Sequence, residues 1–281
     1  MYSLTIKGIV IFAGAGSGDP DLLTIKASRA LSSADIIIAD RLVAERILSD
    51  WANPGATIIH VGKQSGKKES MPQSVINKLM VDYALAGKRV VRLKGGDVSI
   101  FSNIYDELMA LVENEITYEI IPGISSASGA AAYAGIPLTA RNHATAIRFL
   151  TGYDPCKLND SKWKELAESD DTLVWFMSSD VINFLTKNLT TSGIHHDVHI
   201  AVIEQASTPD QQTSCCNIYD YESLYANKTY ASPSLIIIGK VAALHTKFAW
   251  FNERTETGFF FKELGTSDLN LPLNSLNRKA C

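Results

Sequence analysis

The sequence has few cysteines, and their positions form no recognisable framework. The 281-residue chain contains four: Cys156, Cys215, Cys216 and Cys281. Two of them are adjacent, which fits neither a set of disulfides nor the CxxC spacing of a metal site. We therefore expect a reducing, cytoplasmic environment and no bound metal.

Histidine is also scarce, and half of the six histidines stand in one segment, HHDVH, as His195, His196 and His199. The segment follows Gly193 and precedes the apolar run IAVI, with no second group of ligand residues nearby in the sequence. Zinc sites usually combine ligands from more than one segment. We interpret HHDVH as a polar connector.

Long apolar runs and an excess of basic charge are both absent. No run approaches the ~20 apolar residues of a membrane-spanning helix, and the N-terminal MYSLTIKG lacks the layout of a signal peptide. The formal net charge of −4 offers no basic surplus for nucleic acid. With 46% hydrophobic residues, the chain is typical of a globular protein with a sizeable core and neither nucleic acid nor a membrane as its partner.

Short apolar runs alternate with helix-like stretches along most of the chain. GIVIFAG, DIIIAD and KRVVRLKGGD are examples of the strand-like runs, and PQSVINKLMVDYALAG is a helix-like stretch that ends at Gly87. This alternation predicts sheets covered by helices on both faces, an α/β fold. We expect two consecutive α/β domains, 1–137 and 138–251, followed by a polar tail, 252–281, that is peripheral or disordered.

Three turns rich in glycine or small residues follow strand-like runs, at 14–16, 95–97 and 122–129. In open α/β sheets the carboxyl ends of the strands form the ligand edge, so these turns predict a close backbone approach to a ligand without phosphates. A dinucleotide fits less well, because Asp19 occupies the third glycine position and would repel a pyrophosphate. A nucleotide oxidoreductase, a binding-only protein and a turn without a ligand remain alternatives.

Several longer motifs occur together between about residues 5 and 251: GAGSGDPDLLTIKA, ADIIIADRLV, VGKQSGKK, PGISSASGAAAYAGIPLTAR and VIEQASTPDQQ. In this order they resemble the uroporphyrinogen-III C-methyltransferases of the tetrapyrrole methylase family. The resemblance implies an enzyme that uses S-adenosylmethionine and releases S-adenosylhomocysteine. It implies two methylations that convert uroporphyrinogen III to precorrin-2, towards siroheme or cobalamin, in a homodimer whose active-site cleft lies between two α/β domains.

The resemblance also implies which residues contact the methyl donor. They are small, apolar or acidic, and they are Ser17, Gly95, Gly96, Asp97, Ile100, Ser125, Ser126, Met177 and Ala206. Asp97 would accept from the donor's ammonium group, and the polarisable Met177 suits an adenine face.

Two residues match the family's proposed catalytic pair. Asp40 corresponds to the proton acceptor and Lys63 to the proton donor. After a pyrrole carbon has taken up a methyl group, the ring must lose a proton, and a carboxylate within reach can accept it. The alternative for Asp40 is an ion pair with Lys63 or Arg41 and no chemical role.

The acceptor side departs from the family pattern. Asn103 stands where arginine is expected, Ala140 and Asn142 where histidine and aspartate are usual, and Gln212 where arginine is common. Uroporphyrinogen carries eight carboxylates, so cationic residues should bind it. Arg41 and Arg141 are the predicted substrate-binding residues, and a relative that keeps the methyl donor but methylates another acceptor is the alternative.

Overall fold

The computed structural model describes residues 7–62, 71–254 and 258–261. The chain divides into two compact units. One comprises Met1–Gly16, Pro20–Ile124 and Phe261–Cys281, and the other comprises Ser17–Asp19 and Ser125–Phe260. Each contains one five-stranded sheet with helices, so the α/β prediction is confirmed for both.

The first unit holds the strands β1 (Ile9–Gly14), β2 (Ile36–Asp40), β3 (Thr57–Val61), β4 (Arg89–Lys94) and β5 (Thr117–Ile121). Its helices are α1 (Ile25–Ser32), α2 (Glu45–Trp51), α3 (Gln73–Leu85) and α4 (Ile104–Glu113). The strand order is β3-β2-β4-β1-β5, and every neighbouring pair is parallel. All five strands therefore end at the same edge, as the glycine turns predicted.

Continuous apolar runs explain why these strands lie in the interior of the first unit. Along β1 and β2 alternate residues enter opposite faces, and Val10, Phe12 and Ile38 are fully buried in one core with residues of α3 and α4. The helix α3 ends where the sequence predicts, because Gly87 follows it with a φ of +79°. Thr24 caps α1, and the preceding Pro20–Leu22 is a separate 3₁₀ turn.

The second unit holds the strands β6 (Ile147–Thr151), β7 (Thr172–Phe176), β8 (His199–Glu204), β9 (Gln212–Asn217) and β10 (Ser234–Gly239). Its helices are α5 (Ser126–Tyr133), α6 (Asp160–Glu168), α7 (Ile182–Thr191), α8 (Tyr221–Tyr225) and α9 (His245–Phe248). The order is β6-β7-β10-β8-β9, in which only β6 and β7 are a parallel pair. The other three neighbouring pairs are antiparallel, and β8 and β9 follow one another in the chain without a helix between them.

The two units divide ahead of α5, between Ile124 and Ser125, whereas the sequence placed the border after residue 137. The helix α5 packs against β10 of the second unit. The segment predicted as a peripheral or disordered tail also has defined contacts: Gln212 Nε2 donates to the carbonyl of Arg254 at 2.9 Å, and Gly258 N donates to Asp210 Oδ1 at 3.1 Å. Among the described residues, no helix is long and apolar enough to cross a membrane.

Candidate active site

The glycine turns after β1, β4 and β5 lie against one another. Gly16 and Gly96 exchange two backbone hydrogen bonds, with N···O distances of 3.2 and 2.7 Å. A Cβ added to Gly123 would lie 2.3 Å from the carbonyl oxygen of Gly96 and 2.7 Å from the Cα of Gly14. Glycine is therefore required at Gly14 and Gly123, where the turns touch and leave no room for a side chain. We call Gly14, Gly16, Gly96 and Gly123 the turn cluster.

Asp97 fastens two of these turns together. Its Oδ1 accepts from Ser99 N at 2.8 Å and from the Ser99 hydroxyl, and its Oδ2 accepts from Gly123 N at 2.9 Å. Burial pushes the pKa of Asp97 upward, but the hydrogen bonds from Ser99, Gly123 and Val98 outweigh it and lower the pKa below its ordinary value. Asp97 is thus a charged carboxylate that holds the turn after β4 on the turn after β5.

Asp40 ends β2 at the same edge and accepts a hydrogen bond from Arg92 Nη2 at 2.6 Å. The Asp40 side chain is 27% exposed, whereas Arg92 is 2% exposed. Sequence reasoning considered Arg41 or Lys63 as the ion-pair partner and missed Arg92. Lys63, the predicted proton donor, lies outside the described residues.

Arg92 belongs to a larger buried group of charges. Its Nε donates to Glu107 Oε1 at 2.9 Å, and Lys94 Nζ donates to Glu107 Oε2 at 3.0 Å. Glu107 is fully buried on α4 and also accepts from Gln73 Nε2 at 3.3 Å. The four residues Asp40, Arg92, Glu107 and Lys94 form an alternating row of two acids and two bases, which we call the charge row. Burying such charges is tolerable because each is paired.

The two bases in the charge row respond differently to burial. Burial is the strongest influence on Lys94, and the adjacent charge of Arg92 adds to it, so the pKa of Lys94 falls below its ordinary value of 10.5. Burial also acts to lower the pKa of Arg92, but the carboxylates of Asp40 and Glu107 prevail and raise it. The Arg92 guanidinium therefore stays charged beside Asp40.

In the second unit, Ser17 lies beside the loop that follows β8. The hydroxyls of Ser17 and Ser207 are 2.7 Å apart, and Ser207 Oγ accepts from Asp19 N at 3.3 Å. A Cβ on Gly129 of α5 would clash with the Ser17 side chain, so a glycine in the helix leaves room for it. The carboxylate of Asp19, which weighed against a pyrophosphate, accepts from the Tyr133 hydroxyl.

Four further predicted donor contacts are placed in this unit. Ser125 caps α5 by accepting from Ala127 N at 3.3 Å, and Ser126 is the first residue of that helix. Met177 follows β7 with a φ of +52° and is 54% exposed. Ala206 lies between Gln205 and Ser207, which also have positive φ values.

The strand directions put two of these positions at one edge. The strands β7 and β8 both run antiparallel to β10, so Met177 and Ala206 follow strands that end at the same edge of the second sheet. In the first unit, Gly95 directly follows β4 and lies against Leu42, and Ile100 stands six residues after the end of β4. The predicted donor contacts are thus divided between the two units.

Residues that depart from the family pattern occupy special backbone positions. Asn103 and Asn142 have φ values of +58° and +64°, a region that asparagine enters at lower cost than most residues. Gln212 donates to two backbone carbonyls. Arg141 is exposed and Arg41 is half-buried.

Among the described residues, no group of three or more His, Cys, Asp or Glu side chains is arranged to hold a metal ion. The histidines of HHDVH have other contacts. His195 Nδ1 lies 2.5 Å from Asp197 Oδ1, and His196 stacks on Tyr219 with ring centroids 4.4 Å apart. These contacts are consistent with a polar connector.

The comparison with known families decides the family of this chain. A profile of the tetrapyrrole (corrin/porphyrin) methylases matches residues 10–221. The chain belongs to the tetrapyrrole methylases. Siroheme synthase 2 of Aeromonas hydrophila is 41% identical over 264 residues, which are 94% of this chain and 54% of that protein. This tetrapyrrole methylase therefore spans about half the length of the curated relatives it matches.

Solved tetrapyrrole methylases have the same fold. The uroporphyrin-III-C-methyltransferase of Thermus thermophilus superposes with a TM-score of 0.71 at 30% identity, covering 86% of this chain and 97% of that one. A structure of the Thermus thermophilus enzyme complexed with S-adenyl homocysteine gives a TM-score of 0.70 at 32% identity, covering 84% and 100% of the two chains. The predicted fold class and family are confirmed.

Proposed function

We propose that this tetrapyrrole methylase transfers methyl groups from S-adenosylmethionine to two carbons of uroporphyrinogen III and so forms precorrin-2. The observation that carries the proposal is the turn cluster at the carboxyl edge of the parallel sheet, with Asp40 at the end of the neighbouring strand β2. Family membership and the relatives named above support it, since one of them is complexed with the demethylated donor.

The donor would be held by residues that fit its chemistry. Gly95, Gly96, Asp97 and Ile100 would contact it in the first unit, and Ser17, Ser125, Ser126, Met177 and Ala206 in the second. The exposed, polarisable Met177 side chain offers a face for an adenine ring. Asp97 would present its negative charge to the donor's ammonium group while it holds the two turns.

S-adenosylmethionine supplies an electrophilic methyl group on a sulfonium. This chain's residues orient the acceptor and remove the proton that the ring system must lose once a pyrrole carbon has taken up the methyl group. Asp40 is the acceptor of that proton, held by Arg92 and still partly exposed. Lys63 would return a proton or bind a substrate carboxylate. Positioning the two reactants supplies most of the rate enhancement.

The identity of the methyl acceptor is the part of the proposal for which there is a specific alternative. Arg41 and Arg141 would bind substrate carboxylates, but Asn103 and Gln212 replace arginines that the family pattern leads us to expect. Arg148 is already engaged by Asp171 and Glu165. A different, less acidic methyl acceptor is therefore the second candidate.

A turnover assay with labelled methyl donor tests the proposal. We expect wild-type protein to add two methyl groups to uroporphyrinogen III, read by mass spectrometry. Asp40→Ala should lower turnover by roughly 10²–10⁴-fold, the usual contribution of a general base. Lys63→Ala should also lower it. Asp50→Ala is the control, because Asp50 pairs only with surface groups on α2.

The outcomes separate the candidates. Tight binding of S-adenosylhomocysteine in calorimetry without methylation of uroporphyrinogen III would favour the other acceptor. NAD binding without affinity for S-adenosylhomocysteine would overturn the whole proposal in favour of an oxidoreductase. Donor binding without turnover on any tetrapyrrole would indicate a binding-only protein.

We also propose that the protein acts in the cytoplasm as a homodimer. The resemblance to the family supports the dimer, and the low cysteine content supports a reducing compartment. Cys156, Cys215 and Cys216 are free thiols. Sedimentation equilibrium should give twice the chain mass of 30.6 kDa, and a chain mass at micromolar concentration would contradict the dimer.

A further inference from the structure

The charge row contains two residues, Glu107 and Lys94, for which the proposed chemistry has no use. They do not touch Asp40, but they surround the guanidinium that does. Both are almost completely buried, at 0% and 4% exposure, on different elements of the first unit. A buried acid and a buried base at this depth are costly unless they are paired, so it is their pairing beside Arg92 that makes this burial possible.

Arg92 presents a full positive charge to Asp40, because its Nη2 lies 2.6 Å from Asp40 Oδ1. Glu107 changes this in two ways: it takes the Nε of Arg92 at 2.9 Å, which fixes the plane of the guanidinium, and its negative charge offsets the positive charge that Asp40 experiences. Lys94, at 3.0 Å from the other oxygen of Glu107, limits that offset.

We propose that Glu107 is a positioning residue for the proton acceptor, which acts through Arg92 to aim the Asp40 carboxylate and to offset the positive charge that Arg92 presents to it, while Lys94 limits that offset. The inference rests on the proposed role of Asp40. It assigns no contact with substrate to Glu107 or Lys94. The geometry that carries it is the unbroken row of hydrogen bonds from Asp40 to Lys94 across β2, β4 and α4.

The other ionisable groups near Asp40 can be placed from the strand register. On β3, His60 pairs with Ala39 and therefore points to the opposite face of the sheet from Asp40. On β4, Arg92 and Lys94 point to the same face as Asp40. On α4, the buried carboxylate of Glu107 contacts Arg92 and Lys94. Arg41 follows Asp40 directly and remains unchanged in the test.

The test compares three variants with wild type: Glu107→Gln, Lys94→Met and Asp40→Asn. In Glu107→Gln the charge of Arg92 is no longer offset, so kcat should fall about tenfold and the acid limb of the pH–rate profile should move to lower pH by about half a pH unit or more. In Lys94→Met one positive charge disappears, so the acid limb should move to higher pH. The KM for the donor should change little in both.

Glu113→Gln is the matched control, since Glu113 is an exposed glutamate on the same helix. It should leave both kcat and the pH profile unchanged. A purely structural role for the charge row would lower the thermal stability of Glu107→Gln and Lys94→Met but would not move their acid limbs in opposite directions. If Glu107→Gln does not fold, the pH–rate profile of Lys94→Met tests the inference by itself: a shift of its acid limb to higher pH supports the inference, and an unshifted limb overturns it.

The results distinguish failure of the inference from failure of the proposed function. Loss of turnover in Asp40→Asn, with unshifted profiles in the other two variants, would overturn the inference and leave Asp40 as proton acceptor. Full turnover in Asp40→Asn would overturn the assignment of Asp40, and the inference with it. Opposite shifts in Glu107→Gln and Lys94→Met, together with loss of turnover in Asp40→Asn, would establish the role of Glu107.

Discussion

Asp97 is a residue whose charge can be linked to stability. Its two carboxylate oxygens accept from Ser99 and from the backbone of Gly123, and an asparagine at this position could not accept with both side-chain atoms. We expect Asp97→Asn to lower the free energy of unfolding at pH 7 by about 1–3 kcal/mol, the effect of a lost hydrogen bond in a buried site. Urea denaturation at pH 7 measures it.

The pH dependence of that effect follows from the direction of the shift. The pKa of Asp97 is lowered from 3.8 in the folded protein, so its contribution is fully present above pH 3.8 and is lost as the pH falls through the folded value. The difference in unfolding free energy between wild type and Asp97→Asn should therefore stay constant around neutral pH and become smaller below about pH 4. Asp82→Asn, on the surface of α3, is the control; an equal gap at every pH would contradict the prediction.

Single residues are also where sequence reasoning reached its limit. The motif GGD correctly marked a turn at the carboxyl edge of the parallel sheet, because two adjacent glycines directly after a buried strand are typical of a tight turn. The role of Arg92 could have been suspected, since it alternates with Val90 and Lys94 on a strand whose neighbours are apolar. Its partner Glu107 could not, because the contact depends on how α4 packs over the sheet, which no local pattern encodes.

At the scale of elements, the turn cluster gives a sharp prediction. We expect Gly123→Ala to lower the unfolding free energy by several kcal/mol and to abolish S-adenosylhomocysteine binding, because its Cβ would lie 2.3 Å from the Gly96 carbonyl oxygen and force two turns apart. Thermal denaturation and calorimetry measure both effects.

Gly55→Ala is the matched glycine control for Gly123→Ala. A Cβ at Gly55 would meet only the Asn53 side chain, at 3.7 Å, so this variant should keep wild-type stability and binding. Equal stability and equal S-adenosylhomocysteine affinity of the two variants would show that the turn cluster does not determine the conformation of the turns at the carboxyl edge of the parallel sheet.

The elements of the first unit were easier to predict than those of the second. Parallel strands buried on both faces leave long apolar runs in the sequence, as in β1, β2 and β4. The strand β9, with the sequence QTSCCN, is polar and pairs only with β8 at the edge of its sheet, so it carries no such signal. The second sheet is mainly antiparallel because β10 pairs antiparallel with both β7 and β8, which the alternation of motifs did not predict.

On the scale of the whole molecule, the tail is part of the second unit for some of its length. Gln205 Nε2 donates to the carbonyl of Gly258 at 2.9 Å, and Gln205 Oε1 accepts from Phe260 N at 2.7 Å. Thr213 N donates to Glu253 Oε2 at 3.0 Å. These bonds fasten Glu253, Gly258 and Phe260 to the loop between β8 and β9 and to the start of β9. That loop contains Ala206, one of the proposed donor contacts.

Two truncations test whether the tail supports that loop. Ending the chain after Phe251 removes the hydrogen bonds to Gln205, Asp210 and Gln212. Each of these hydrogen bonds stabilises the loop by about 0.5–1.5 kcal/mol. Because part of that stabilisation would be lost, S-adenosylhomocysteine should bind about five- to tenfold more weakly and amide exchange in residues 205–211 should be faster. Ending the chain after Phe261 keeps every one of these bonds, so its affinity and exchange should match the full chain. Equal affinity in both truncations would show that the loop holds its conformation without the tail, and the tail would then have no part in donor binding.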